Sequence, residues 1–102
     1  MEIESPTMEN VAYGKTFKVL NIVGTVGMHM PEHHATHEAV ILVKQGKAIV
    51  TMTGEKYLIQ KGEVFIIPAG EQHTLAVLEA FEANVIMPVA STIEFENKMY
   101  EN

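Results

Sequence analysis

Between Phe17 and Met87 the chain alternates short apolar runs with polar or glycine-containing breaks, at a spacing of roughly eight to twelve residues. That rhythm belongs to strands rather than helices. The runs predict strands at Phe17–Val23, Thr25–Met30, Ala39–Lys44, Ala48–Met52, Lys56–Ile59, Val64–Ile67, Thr74–Leu78 and Ala83–Met87. Gln45-Gly46-Lys47, Thr53-Gly54-Glu55 and Lys61-Gly62-Glu63 carry turn chemistry between them. Only Leu75–Ala83 has the Ala, Leu and Glu content to propagate a helix, and it lacks an N-cap. It is read as strand, turn, strand. Residues 1–14 are polar and broken by Pro6 and Gly14, which suits an N-terminal arm or edge strand. Residues 15–90 form the barrel, and 91–102 are a polar tail that ends as a strand or a short helix.

Short strands in this number predict an all-β fold, a closed barrel or jelly roll. Runs such as Val40-Ile41-Leu42-Val43 and Val64-Phe65-Ile66-Ile67 are apolar on both faces. One face lines the interior and the other needs a cover, so a homodimer is expected. An exchanged edge strand from residues 1–14 or from the tail would suit such a pairing.

Composition narrows the function classes. The 102 residues suit one domain with one core. There is no cysteine, which excludes disulfides, thiolate ligands and a cysteine nucleophile. Every acidic side chain is Glu and every basic one is Lys, with a net charge of −6. A chain so acidic and without arginine is a poor partner for nucleic acid or a polyanionic substrate. No apolar run is long enough to span a bilayer, and the acidic start has no signal-peptide pattern, so a cytoplasmic protein is expected.

The chemistry lies in the histidines. Four fall in His29-Met30-Pro31-Glu32-His33-His34-Ala35-Thr36-His37, and the fifth is His73. Two patterns frame them. Gly62, five residues, then Pro68-Ala69-Gly70-Glu71-Gln72-His73 fits G-x5-P-x-G-x2-H-x3-N, except that Val77 stands at the final Asn. Gly27, five residues, His33 and a closing Gly46 fit the anchors of G-x5-H-x-H-x(3,4)-E-x6-G. On these motifs the chain resembles the cupin superfamily, in particular its small single-domain conserved-barrel members, over roughly residues 25–88. The resemblance implies a jelly-roll barrel with a pocket at one mouth. In the family that pocket holds a metal on three His and one Glu. Here the second histidine falls on Ala35 and the glutamate on Ala39; a longer inter-motif spacing would place the histidines on Glu32 and His34 instead.

The expected metal ligands are therefore His33, His37 and His73, with His34 as the alternative third. His33, Ala35, His37 and Ala39 share one parity if the segment is extended, and His34 opposes them. Glu32 or Glu38 would contribute only after a shift of register. Three imidazoles and water would suit Zn²⁺, Ni²⁺, Fe²⁺ or Cu²⁺. The expected pocket wall comprises His29, Met30, Ala35, Ala39, Ile41, Gln72 and Met87, with Met28 and Met52 as further interior methionines. Glu71 is read as a solvated turn residue that can also orient a ring. Two functions follow. One is a protein that binds a small, largely apolar ligand beside an incomplete histidine site. The other is a divalent-metal enzyme of dioxygenase or isomerase type using three histidines. A sensor domain detached from its regulator is a third, lesser reading.

Overall fold

In the computed structural model, which describes residues 4–95, eight strands pair antiparallel throughout. They are β1 (Thr7–Tyr13), β2 (Phe17–Gly24), β3 (His29–Ala35), β4 (Ala39–Met52), β5 (Glu55–Gln60), β6 (Val64–Ile67), β7 (His73–Pro88) and β8 (Ile93–Phe95). The sheet curls into a jelly-roll barrel. No helix among the described residues is long and apolar enough to cross a membrane.

Two long strands organise the molecule. β7 pairs along one edge with β2 through Phe81–Pro88 and with β3 through His73–Ala76. Along its other edge it pairs with β4 from Val40 to Met52, and the far edge of β4 receives β6 and then β5. Period-2 alternation carries His73, Leu75, Val77, Phe81, Ala83, Val85 and Met87 of β7 inward, against Ala39, Ile41, Val43, Ala48, Val50 and Met52 of β4. Phe81, Ile59, Val43 and Val50 are among the largest fully buried side chains. Burial of each contributes about 1.5–3 kcal/mol.

The strand boundaries differ from expectation at two places, for one physical reason. Gln45-Gly46-Lys47 is not a turn, and neither is the segment between Leu78 and Ala83. β4 and β7 each run through, and they bend together where their register slips between Val43 and Ala48. Gly46 makes the bend. It has φ +77°, and a Cβ there would lie 1.9 Å from the Ala80 carbonyl oxygen. A bulge of this kind needs glycine and turns the strand without ending it. Helical propensity in Leu75–Ala83 is overridden by pairing on both edges.

The third difference concerns the histidine cluster. Thr25–Met28 forms a turn, closed by Met28 N–H donating to the Thr25 carbonyl at 3.1 Å. Strand structure begins at His29 and continues to Ala35. The N-terminal segment forms β1 on the edge beside β2, and part of the tail forms β8 on the edge beside β3.

Candidate functional site

The site lies between β3 and the start of β7. Alternation alone would place Met30 and His33 on opposite faces, since they are three residues apart. A bulge at Pro31-Glu32 takes up the odd residue: Met30 pairs with Leu75 and His33 pairs with His73, two positions apart on β7. Met30, His33 and Ala35 all turn inward as a result. Pro31 is well placed there, because a bulge asks for no ladder N–H. On the other side, Gly70 N–H donates to the Ala35 carbonyl at 2.8 Å. That bond pins the Pro68–Gly70 turn to the end of β3 and delivers His73 to the first position of β7.

His33 and His73 are therefore cross-strand neighbours. Their ring centroids are 4.2 Å apart in an edge arrangement. Phe95 of β8 pairs with His33 on its other side, with ring centroids 5.0 Å apart, so three rings form a row across β7, β3 and β8. Each histidine is 6% exposed. Burial is the largest cause lowering both pKa values: His33 falls from 6.5 to about 4, and His73 is lowered too. The neighbouring ring and His34 add to the lowering of His33, while its hydrogen bond to Pro31 opposes it. Both rings are neutral at pH 7.

The backbone sets their tautomer. His33 Nδ1 is 2.7 Å from the Pro31 carbonyl oxygen, and His73 Nδ1 is 2.9 Å from that of Glu71. A carbonyl only accepts, so each Nδ1 carries the proton and each Nε2 presents a lone pair.

The two rings border a cavity of about 40 Å³ whose remaining lining is apolar: Met8, Ile22, Met30, Ala35, Ala39, Ile41, Ile67, Leu75, Val85, Met87 and Ile93. Of the residues expected from sequence, His33, His73, Met30, Ala35, Ala39, Ile41 and Met87 are brought together here. Others are not. His37 is exposed in the loop after β3, with Nδ1 2.9 Å from Thr36 Oγ1. His34 faces away from the lining as alternation dictates, with Nε2 3.6 Å from Glu94 Oε1. His29 opens β3 half-buried, and Gln72 is exposed in the turn before β7. Of the two interior methionines, Met52 is buried and Met28 packs partly buried against the core, but neither lines the cavity.

Several wall residues escape a sequence reading. Met8 and Ile93 are single apolar residues in polar edge segments, and their inward direction depends on which strand they join. Leu75 and Val85 were accessible through alternation from His73 and Met87. Phe95 gives no signal until β8 is placed beside β3.

The donor set does not fit the family's metal centre. Ala35 and Ala39 line the cavity at two of the expected ligand positions and offer no donor atom. Among the described residues no group of three or more His, Asp or Glu is arranged to hold a metal ion.

With fold and site in view, comparison with known proteins is direct. The chain matches the cupin domain family model (Cupin_2) over residues 23–88 and belongs to that family. No curated protein matches the sequence. Among solved structures it is similar to the DMSP lyase DddQ from Ruegeria pomeroyi DSS-3, with a TM-score of 0.80 and 15% identity, covering 89% of this chain and 51% of the lyase. It is also similar to a cupin superfamily protein from Desulfitobacterium hafniense DCB-2, with a TM-score of 0.75, 18% identity and coverage of 87% and 82%. The G106A mutant of salicylate 1,2-dioxygenase from Pseudoaminobacter salicylatoxidans, in complex with gentisate, gives 0.80, 16%, and coverage of 91% and 30%. The chain thus spans about half of the lyase and under a third of the dioxygenase, and at these identities the likeness is one of fold.

Proposed function

We propose that this cupin barrel binds a small, largely apolar molecule between β3, β4 and β7, without a family-type metal centre. The observation that carries the reading is the lining: two neutral imidazoles on an otherwise apolar wall, with alanines at the missing ligand positions. A wall of this kind removes apolar surface from water and uses few polar atoms to orient what it holds. Met8, Met30 and Met87 supply unbranched, adaptable side chains, which lets a small cavity widen around its contents. Two imidazoles alone leave a transition metal short of the three or four protein ligands that such sites use.

Two measurements on protein made without a histidine tag test this together. Toluene, added to protein carrying ¹³C-labelled methionine methyls, is expected to move the signals of Met30 and Met87. Metal analysis after exposure to Zn²⁺, Ni²⁺ or Fe²⁺ and desalting is expected to find far less than one equivalent. Unmoved methionine signals, or a full equivalent of metal that is lost on His33→Ala or His73→Ala, would overturn the reading.

A further inference from the structure

A guest the size of toluene does not fit the cavity as it stands. The cavity measures about 40 Å³, whereas an apolar cavity that takes up benzene has about 150 Å³. Part of the wall has to yield. We propose that the yielding part is β8, a strap that swings off β3 to admit the guest and then closes over it. That motion presupposes the ligand-binding reading above and adds how the site opens.

Every strand except β5 contributes to the lining. β2 lies between β1 and β7, β3 between β7 and β8, and β4 between β7 and the strands β5 and β6. Among the described residues, three wall strands are paired along one edge only: β1 with seven residues, β6 with four and β8 with three. The shortest ladder opens at the least cost. β8 also turns both of its half-buried side chains onto the site. Ile93 lines the cavity, and the Phe95 ring lies 5.0 Å from that of His33. On β6, by contrast, Ile67 is fully buried. The two ends of β8 are held differently. Ser91, just before it, is buried, and Lys18 Nζ donates to its carbonyl at 2.7 Å. Thr36 N–H donates to the Thr92 carbonyl at 3.0 Å. Beyond that anchored end, Glu94 is about half exposed, with Oε1 3.6 Å from His34 Nε2. Ser91-Thr92 is therefore the hinge, and Ile93–Phe95 is the part that lifts.

The chain has no cysteine, so one engineered pair can fasten the strap. His34→Cys/Glu94→Cys puts thiols on facing residues of β3 and β8, and facing residues of an antiparallel pair lie within a disulfide's span. The reduced form of the same protein is the control. Toluene binding is followed through the methyl signals of Met30 and Met87. Association is expected to be about tenfold slower or more in the oxidised form, and to recover on reduction. Equal rates in the two forms would overturn the strap. Hydrogen exchange on the natural chain gives a second reading that does not depend on how the variant folds. Amides pairing β3 with β8 are expected to exchange faster than those pairing β4 with β7, and to slow when toluene is bound. Exchange no faster than in the β4–β7 ladder would mean that β8 leaves β3 only on global unfolding, which also overturns the strap. Toluene that binds both forms at one rate removes the strap alone. Toluene that leaves the methionine signals of the natural chain unmoved removes the ligand-binding reading, and the strap with it.

Discussion

Acid should weaken this fold through His33. The perturbation is a drop from about pH 7.5 to about pH 5. In the unfolded chain the ring has its ordinary pKa of 6.5, and in the fold burial lowers it to about 4. The folded pKa is depressed, so at a pH between the two values the unfolded state binds the proton and the native state does not. Stability is therefore fully present above about pH 6.5 and is lost as pH falls toward 4. At pH 5 the unfolded ring is ~97% protonated and the folded ring ~9%, and the linkage relation then gives a loss of about 2 kcal/mol from His33. His73 is lowered by the same cause and adds in the same direction. Urea unfolding at the two pH values, for the natural chain and for His33→Gln/His73→Gln, reads the difference directly. The double variant should show a pH dependence smaller by about 2 kcal/mol or more. An equal loss in both proteins would refute the argument that these rings are held neutral by burial.

Three other outcomes follow from the geometry. Gly46→Ala combines a left-handed backbone with a Cβ that meets the Ala80 carbonyl, and should cost about 3 kcal/mol or more; Gly54→Ala, with φ +80° and nothing within 4 Å, should cost only ~1 kcal/mol, so equal melting temperatures would contradict the role given to the bend. Ala35→His with Ala39→Glu adds donors at two cavity positions beside His33 and His73, and should raise zinc uptake to one equivalent on metal analysis; no gain would mean the deficit lies elsewhere. On the outer face, Ile66, Val40, Ile86 and Val19 lie in register across β6, β4, β7 and β2, with Leu42 and Val64 beside them and Lys44 already paired to Glu82 at 3.4 Å. We propose that a second copy covers this row: light scattering should find a dimer that Val40→Lys converts to a monomer, and a monomeric natural chain would reject the proposal.

Much of the barrel was legible because alternation and turn chemistry are local. The spacing from Gly62 to His73 located the turn that Gly70 pins to Ala35, and His33 and His73 fall where the two motifs place them. Strand continuity was not legible. Gly46 reads alike as a hairpin turn or a bulge, and only the packing of β4 on β7 decides between them. The position of His37 was not legible for a similar reason. Parity counted from His33 to His37 assumes one extended strand, but β3 ends at Ala35 and His37 lies in the following loop. Conversely, Met30 and His33 have opposite parity in sequence and the same face in the fold, because a bulge at Pro31-Glu32 lies between them. Residues on edge strands, such as Met8, Ile93 and Phe95, acquire their place only through pairing partners distant in sequence.

His33 and His73 border the cavity as two buried rings, each with Nδ1 against a backbone carbonyl and a pKa lowered by burial. The two-bond ¹H–¹⁵N spectrum of the imidazole rings, recorded near pH 7 on untagged protein, reads the protonation and tautomer of both rings. Two neutral rings are expected, with the proton on Nδ1 and a bare Nε2, both assigned by their loss in His33→Gln and His73→Gln. A proton on Nε2, or a doubly protonated ring at that pH, would contradict that expectation.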